Sequence, residues 1–210
     1  MKNKTKIYYA FCSKKGESPR AYKRYQRELA DRILAYGFRM GFGVTFDRRF
    51  VMPAAHGKPI WNGSGKIYFN ITNTEGLVAC AVSDVNIGVD AERIRKVGFP
   101  VLKRCCKEQE IAYIMRREEG NVMYAESDID QERFFQLWTL KESYIKMTGE
   151  GMRFPVKEAS FVVQAFPEGR KIACSEPGFF EQRKVGAYWI SACMQKETQS
   201  VWQELPMEQL

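Results

Sequence analysis

Residues 134–146 read Phe-Phe-Gln-Leu-Trp-Thr-Leu-Lys-Glu-Ser-Tyr-Ile-Lys, and the rest of the chain is best understood in relation to this stretch. Its apolar residues recur at helical spacing and it contains neither Gly nor Pro, so the pattern predicts one helix. Asp128 and Asp130 precede it and are candidate N-caps, and Gly149 follows it as a candidate helix end.

One face of this predicted helix combines charged and aromatic side chains. At roughly 100° per residue, Glu142 and Lys146 lie only about 40° apart, and Trp138 and Phe135 share their face. Taken alone, this is typical of a surface Glu-Lys pair beside a core stripe, which contributes about 0.2–0.5 kcal/mol. A second stretch, upstream of the helix, favours a functional reading.

That upstream stretch, Asn86 to Glu92, predicts a short strand. Side chains alternate along a strand, so Asp90 and Glu92 point to the same side, about 6.7 Å apart. Two carboxylates on an otherwise apolar strand are costly unless a cation neutralises them. Glu142 would complete a set of hard oxygen ligands of the kind that Mg²⁺ takes together with water and phosphate oxygens. Lys146, one helical turn further, would then face the phosphate.

The two stretches together resemble a known family. Gly88-Val89-Asp90-Ala91-Glu92, followed by Trp138-Thr139-Leu140-Lys141-Glu142-Ser143-Tyr144-Ile145-Lys146, is similar to the two signature motifs of the 4′-phosphopantetheinyl transferases. Their order, their spacing and the upstream Gly57-Lys58-Pro59 resemble the larger, surfactin-synthetase-activating type. The resemblance covers residues 57–151 well. It implies transfer of the phosphopantetheine arm from coenzyme A, a co-substrate, to a serine of an apo carrier protein, with Mg²⁺ or Mn²⁺ as the metal.

The resemblance also implies roles for individual residues. The implied metal ligands are Asp90, Glu92 and Glu142, and the implied catalytic residues are Glu110, Glu142 and Lys146. The implied coenzyme A contacts are Arg24, Arg27, Gly57, Lys58, Pro59, Thr72, Asn73, Asp90, Lys141 and Lys146. An acidic carrier protein of the fatty-acid, polyketide or non-ribosomal peptide type is expected to dock on Phe99, Val101, Leu102, Lys103 and Arg104.

Several of these residues also have plain structural interpretations. Glu110 would be a second catalytic acid or base, or simply a surface carboxylate. Arg24 and Arg27 would reach the 3′-phosphate of coenzyme A, or belong to a solvated helix face. The Lys58-Pro59 pair is equally compatible with an ordinary turn, and residues 93–104 with an ordinary amphipathic turn and helix.

One position departs from the family pattern. The family has Ser-His-Ser after a Phe-Asn pair, whereas this chain has Thr72-Asn73-Thr74 after Phe69-Asn70. Asn73 can still donate a hydrogen bond to a phosphate oxygen, but without a charge. The sequence therefore predicts weaker coenzyme A binding, or a family member that keeps the fold with reduced activity.

Composition narrows the class of protein further. The 210 residues have a formal net charge of +8, six cysteines without a Cys-x-x-Cys pair, and one histidine, His56. A single histidine excludes a multi-histidine zinc site. The cysteine usage predicts a reduced, cytoplasmic protein. No apolar run is long enough to cross a membrane, and no signal peptide is recognisable, so no membrane partner is expected.

The positive charge suggests one alternative from another class, a basic nucleic-acid-binding module with aromatic residues for stacking. Its weakness is the acidic trio of Asp90, Glu92 and Glu142, which would repel a phosphate backbone unless a metal were present. We therefore expect no nucleic-acid partner.

The predicted fold is α+β, with an α/β-like character and helices packed on mostly antiparallel sheets. The resemblance implies two similar halves with the active site in the cleft between them, and a monomer. Residues 1–86 would form the half that holds the adenine and 3′-phosphate, and residues 87–210 the half that carries the metal and catalytic motifs. We further predict a helix from Pro19 to about Tyr36 that Gly37 ends, a polar connection over residues 118–130, and a polar tail over residues 195–210.

Overall fold

A computed structural model describes residues 4–13, 18–116, 125–166 and 169–210. Its helices are α1 (Pro19–Phe42), α2 (Phe99–Cys105), α3 (Glu108–Met115) and α4 (Gln131–Thr148). Its strands are β1 (Lys4–Phe11), β2 (Val51–Pro53), β3 (Pro59–Trp61), β4 (Tyr68–Thr74), β5 (Leu77–Ser83), β6 (Ile87–Arg93), β7 (Phe161–Phe166), β8 (Gly169–Cys174), β9 (Phe179–Val185), β10 (Tyr188–Met194) and β11 (Gln199–Glu204).

Two main sheets organise the molecule. The first has the strand order β11-β1-β5-β4 and the second the order β6-β10-β9, while β2-β3 and β7-β8 are two-stranded hairpins. All of these pairs are antiparallel except β1 with β11. The predicted α+β fold with mostly antiparallel sheets is therefore confirmed.

The core lies in three layers. The helix α1 covers the outer face of the first sheet, and α4 packs on β6 and β10 of the second. Between the two sheets lies a layer of small and β-branched residues that includes Ala79, Ala81, Val89 and Ala192. These short side chains allow the sheets to approach closely, which brings β4 beside β6.

Side chains of β4 replace the backbone ladder between β4 and β6. Asn70 Oδ1 accepts a hydrogen bond from the Val89 N–H at 2.9 Å, and Thr72 Oγ1 accepts from the Ala91 N–H at 3.3 Å. Residues 70 and 72 point to the same side because side chains alternate along a strand. The two sheets are thereby joined at the strand that carries Asp90.

The predicted central helix is confirmed as α4. The Asp130 side chain accepts a hydrogen bond from the Arg133 N–H, and Gly149 ends the helix in the left-handed conformation with φ of 79°. Most of the polar connection predicted just before it, residues 118–130, lies outside the described residues. The part that is described contains a short 3-10 turn, Glu126–Asp128.

The predicted end of the first helix at Gly37 is wrong. The helix α1 continues to Phe42, and Gly43, with φ of 66°, is its left-handed C-cap. Gly37 lies inside the helix. A Cβ at this position would lie only 3.0 Å from the side chains of Tyr8 and Val82, so a larger residue would be crowded there. The glycine therefore marks a close helix–sheet contact rather than a helix end.

The predicted polar tail is also wrong. Residues 199–204 form β11, which lies parallel to β1. Leu205, which follows this strand, is buried in the core under α1. The proposed division at residue 86 stays a prediction, although this last strand belongs to the same sheet as β1. No helix among the described residues meets the length and hydropathy needed to span a membrane.

Candidate active site

A glycine sets the position of the site residues on α4. A Cβ on Gly88 would lie 2.0 Å from the Ser143 carbonyl oxygen and 2.3 Å from the Met147 nitrogen. The backbone of α4 therefore rests directly on β6, which no residue other than glycine permits here. This contact brings Lys146 within reach of Asp90.

Asp90 lies at the centre of the charged cluster and is only 5% exposed. Its Oδ1 atom accepts hydrogen bonds from Lys146 Nζ at 2.6 Å and from Thr72 Oγ1 at 3.1 Å. Its Oδ2 atom is buried and has no hydrogen-bond partner among the described residues. A buried carboxylate oxygen without a partner is costly, so the site calls for a further cation or donor.

Glu142 shows the same shortage of positive charge. Burial, and next the neighbouring Asp90, raise the pKa of the Glu142 carboxyl to about 7, against the opposing effect of Lys146. Glu92 raises it further, to a smaller extent. Glu142 and Asp90 are therefore close enough to interact, as the helix and strand patterns predicted.

The Glu92 carboxylate is hydrogen-bonded to other residues of the protein. Its Oε2 atom accepts hydrogen bonds from Thr74 Oγ1 at 3.3 Å and from the Arg95 guanidinium at 2.7 Å. Within the described parts of the chain, no three His, Cys, Asp or Glu side chains are arranged as a ready metal site. The chemistry of Asp90 and Glu142 nevertheless fits a hard divalent cation, because a buried Asp90 oxygen has no partner among the described residues and Glu142 is a second carboxylate close to it.

A cavity of about 830 Å³ lies beside this cluster. Glu142 and Lys146 line it, together with an apolar wall that includes Trp138 and Met152. The remaining lining residues are His56, Gly57, Lys58, Pro59, Asn70, Ile71, Pro100, Val101, Arg104, Cys105, Ile145, Gly149, Gly151, Phe154 and Val156. The cavity therefore has a charged floor and a largely apolar side, a size and character suited to a small-molecule ligand.

Glu110 does not fit the predicted role of a base that contacts substrate. It is 1% exposed, and its carboxylate accepts hydrogen bonds from the N–H groups of Lys107 and Phe161 at 2.9 and 3.0 Å. The Lys141 ammonium, fully buried, lies 2.9 Å from Glu110 Oε1 and also donates to the Ala159 carbonyl. This closed pair does not line the cavity, so the predicted contact between Lys141 and coenzyme A is not supported either.

Lys58 lines the cavity, and its ammonium is also bound by the protein. Its ammonium donates to Asn86 Oδ1 at 2.6 Å, to the Met147 carbonyl at 2.8 Å and to the Ile87 carbonyl at 3.1 Å. Burial lowers the pKa of this ammonium to about 8. Lys58 thus ties the last turn of α4 to β6, and it lines the cavity together with Gly57 and Pro59.

Four other predicted coenzyme A contacts do not line the cavity. Thr72 is buried and holds Asp90, whereas Asn73 is exposed. Arg24 and Arg27 are exposed on α1, where Arg24 lies 3.8 Å from Glu28. Of these four residues, Thr72 alone is joined to the charged cluster.

The predicted docking surface is partly present. Val101 and Arg104 line the cavity, and the Lys103 ammonium lies 4.8 Å from the centroid of the Phe99 ring. Leu102 is fully buried in the core around α4, so it cannot belong to an exposed surface. Within α2, Leu102 and Cys105 are buried, whereas Val101, Lys103 and Arg104 are exposed. The sequence of residues 99–104 did not distinguish these positions.

Sequence reasoning missed Arg95 and Met152. Arg95 follows Glu92 by three residues, just after β6 ends, and the two side chains form an ion pair. This short separation of opposite charges is the sequence feature that could have indicated the pair. Met152 is fully exposed beside the cavity and follows two glycines in a polar turn. Its role as a lining residue depends on how the segment after α4 folds back, which has no local signature.

Comparison with known proteins shows the family. A family profile described as the 4′-phosphopantetheinyl transferase superfamily matches residues 86–193, more than half of the chain. The matched span includes β6 and α4, and hence both sequence motifs. The chain therefore belongs to the 4′-phosphopantetheinyl transferase superfamily, as the resemblance predicted.

Curated relatives agree with this assignment. The chain is 29% identical over 136 residues to "4′-phosphopantetheinyl transferase gsp" of Aneurinibacillus migulanus, covering 61% of this chain and 53% of that protein. It is 28% identical over 115 residues to "4′-phosphopantetheinyl transferase Sfp" of Bacillus subtilis strain 168, covering 55% and 47%. It is 30% identical over 102 residues to "4′-phosphopantetheinyl transferase HetI" of Nostoc sp. PCC 7120, covering 47% and 40%.

The chain thus spans about half the length of the curated relatives it matches. These matches support the predicted assignment to the larger, surfactin-synthetase-activating type. The shared region is the one that contains the carboxylates and Lys146.

Proposed function

We propose that this protein transfers the 4′-phosphopantetheine arm of coenzyme A to a serine hydroxyl of an apo carrier protein. The observation that carries the proposal is the cavity of about 830 Å³ in which Glu142 and Lys146 meet, beside the unpaired oxygen of Asp90. Membership of the superfamily and the names of the relatives support the same reaction.

Asp90, Glu92 and Glu142 would hold a divalent cation, Mg²⁺ or Mn²⁺. When bound, this cation neutralises the phosphate oxygens of coenzyme A and the charge that develops on the leaving group. The unpaired Asp90 oxygen and the raised pKa of Glu142 support this assignment. Arg95 pairs with the Oε2 atom of Glu92, so a cation at Glu92 would share this carboxylate with the guanidinium.

Lys146 is the cavity-lining cation that lies against Asp90. It lines the cavity and lies 2.6 Å from Asp90, so it is held in place before a phosphate arrives. A fixed positive charge aimed at a developing negative charge stabilises the transition state without further rearrangement. We place the pyrophosphate of coenzyme A against Lys146 and its adenine end along Gly57 and Pro59, and we retain Thr72 as the residue that orients Asp90.

The bond changes follow from this placement. The serine oxygen forms a bond to the phosphorus that bears the pantetheine arm, and the bond from that phosphorus to the bridging pyrophosphate oxygen breaks. The electron pair leaves with adenosine 3′,5′-bisphosphate, whose charge Lys146 neutralises. The serine proton passes to water in the cavity, because Glu110 is closed off from it.

The partner would be an acidic carrier protein. The exposed part of α2 presents Phe99, Val101, Lys103 and Arg104 next to the cavity, an apolar patch flanked by cations. The net charge of +8 also favours an acidic partner. A cytoplasmic location and a monomeric state remain predictions.

The test is the intact mass of an apo carrier protein after incubation with this protein, coenzyme A and Mg²⁺. We expect the gain of one phosphopantetheine arm. The variants Asp90→Asn and Glu142→Gln should lower the rate at least about a hundredfold. Glu108→Gln, an exposed carboxylate on α3, is the matched control and should keep the parent rate. Transfer at the parent rate by both site variants would reject the assignment of the site.

Asn73 favours a second candidate, a family member with reduced activity. Calorimetric titration with coenzyme A separates the two cases, because a weak enzyme still binds the co-substrate whereas an inactive relative need not. Asn73→His should tighten binding if position 73 reaches a phosphate. An unchanged affinity would mean that the exposed Asn73 stays away from the ligand. The nucleic-acid-binding alternative is not favoured by the family match.

A further inference from the structure

Two cations of the chain already neutralise two of the three carboxylates. Lys146 Nζ lies 2.6 Å from Asp90 Oδ1, and Arg95 NH1 lies 2.7 Å from Glu92 Oε2. No cation among the described residues forms a salt bridge with Glu142, whose carboxyl has the raised pKa described above. The protein itself therefore neutralises part of the negative charge of the cluster. Lys146 does so at Asp90 and Arg95 at Glu92.

Lys146 and Arg95 face different spaces. Lys146 lines the main cavity with Glu142, whereas Arg95 and Glu92 line a separate depression of about 480 Å³ with Thr74 and residues 93–94. Lys146 thus belongs to the substrate side. Arg95 contacts Glu92 from outside the cavity, so its ion pair has no evident part in holding coenzyme A.

Arg95 is held by three kinds of contact. Besides Glu92, its NH1 group donates to the Arg93 carbonyl oxygen at 3.1 Å. Its guanidinium carbon lies 4.7 Å from the centroid of the Phe135 ring, and Phe135 is a buried residue of α4. A guanidinium that stacks on a ring and pairs with a carboxylate has a defined position, even though its side chain is 54% exposed.

We infer that Arg95 is an internal counter-ion that competes with a divalent cation for Glu92. Glu92 cannot give the same oxygen to Arg95 and to a metal, and two positive charges at one carboxylate repel each other. Arg95 bonds to Oε2 of Glu92, so a cation at the other oxygen, Oε1, binds against the charge of the guanidinium, and the adjoining depression offers space for the guanidinium to move away. Arg95 lowers the affinity for the cation and keeps the carboxylate neutralised in its absence.

The inference rests on the metal assignment of the proposed function, and binding of Mn²⁺ tests it without any turnover. The free Mn²⁺ signal in electron paramagnetic resonance reports the dissociation constant of the full chain at fixed ionic strength, without coenzyme A. Arg95→Met should tighten Mn²⁺ binding about two- to fivefold, since a half-exposed ion pair is a weak competitor. Arg95→Lys, which keeps the charge, should stay near the parent affinity.

Arg93→Met is the matched control. It removes the same charge two residues away, but Arg93 pairs with Glu75 at 3.5 Å and not with Glu92. Equal tightening in Arg93→Met and Arg95→Met would mean a general charge effect and would overturn the inference, as would unchanged or weaker binding in Arg95→Met.

The variant Asp90→Asn separates a failure of the metal assignment from a failure of the role inferred for Arg95. If Asp90→Asn abolishes Mn²⁺ binding and Arg95→Met leaves it unchanged, the metal site stands and the role of Arg95 fails. If Asp90→Asn binds Mn²⁺ as well as the parent, or the parent binds none, the metal assignment itself fails. Thermal unfolding of each variant verifies that the fold is retained.

Discussion

Glu110 and Lys141 form a buried ion pair, which indicates that they stabilise the fold. Both side chains are buried, and their charges are paired with each other and hydrogen-bonded to backbone groups. Removal of one charge leaves the other buried and unpaired. We predict that Lys141→Met lowers the free energy of unfolding by about 3–5 kcal/mol, measured by urea denaturation.

The exposed pair Arg24 and Glu28 provides the comparison for this prediction. Arg24→Met should change stability by less than about 0.5 kcal/mol, because an exposed i,i+4 pair contributes little. The double variant Lys141→Met/Glu110→Gln should recover part of the lost stability. A Lys141→Met protein with parental stability and no transfer activity would instead support the coenzyme A contact predicted for Lys141.

Lys58 gives a prediction about pH. Burial lowers the pKa of its ammonium from 10.5 to about 8, so between these values the unfolded chain binds more protons at this residue than the folded chain. The contribution of Lys58 to stability must then increase as the pH rises from about 8 to 10.5. Denaturation of the parent and of Lys58→Met at pH 7.5 and 10 measures this difference.

The parent should gain stability relative to Lys58→Met over this interval. Met keeps the aliphatic stem that packs on Gly149 but removes the titrating group. A constant difference between the two proteins at both pH values would show that the ammonium keeps an ordinary pKa despite its burial.

At the scale of elements, the contact between α4 and β6 positions the whole site. Gly88 permits the two backbones to touch, and a methyl group there would meet backbone atoms at 2.0 and 2.3 Å. Backbone atoms cannot move aside as a flexible side chain can. We predict that Gly88→Ala costs about 3 kcal/mol or more in the free energy of unfolding and displaces Lys146 from Asp90.

Gly41→Ala is a suitable control for this substitution. A Cβ on Gly41 would lie 3.6 Å from Lys6 Cγ, an ordinary contact, in the last turns of α1. Alanine is favoured over glycine in a helix by up to about 1 kcal/mol, so stability should be unchanged or higher. If Gly88→Ala were equally harmless, the close approach of α4 to β6 would not determine the site.

At the scale of the whole molecule, β11 links the two sheets. It pairs with β1 of the first sheet, while Ser200 Oγ and Trp202 Nε1 both donate to Glu181 on β9 of the second, the latter at 2.8 Å. A segment that is remote in sequence therefore joins both halves of the core. The two sheets are connected at one side by β4 and β6 and at the other by β9 and β11.

We predict that a chain ending after Lys196 loses cooperative thermal unfolding. Without β11, the edge of β1 is unpaired and Leu205 no longer fills the core under α1. A chain ending after Leu205 keeps both and should unfold close to the parent temperature. Cooperative unfolding of the shorter chain near that temperature would mean that β11 is dispensable for the fold.

Local periodicity and residue chemistry were enough to predict several features of this protein. The helical spacing of residues 134–146 and the alternation in β6 predicted α4 and the shared side of Asp90 and Glu92. The same two motifs predicted the family. The structure also brings Asp90, Glu142 and Lys146 close together, and their roles in the site stay predictions. These predictions succeed because side-chain spacing within one helix or strand follows from its geometry alone.

Which charged residues face the cavity could be learned only from the tertiary structure. Glu110, Lys141 and Lys58 look like solvent-accessible charges in the sequence, but their partners come from distant segments such as residues 156–161 and Met147. Likewise, Gly37 and Gly88 serve close packing, and residues 199–204 become a strand by pairing with β1. Burial and strand pairing depend on contacts between elements far apart in the chain, and no local pattern of residues records them.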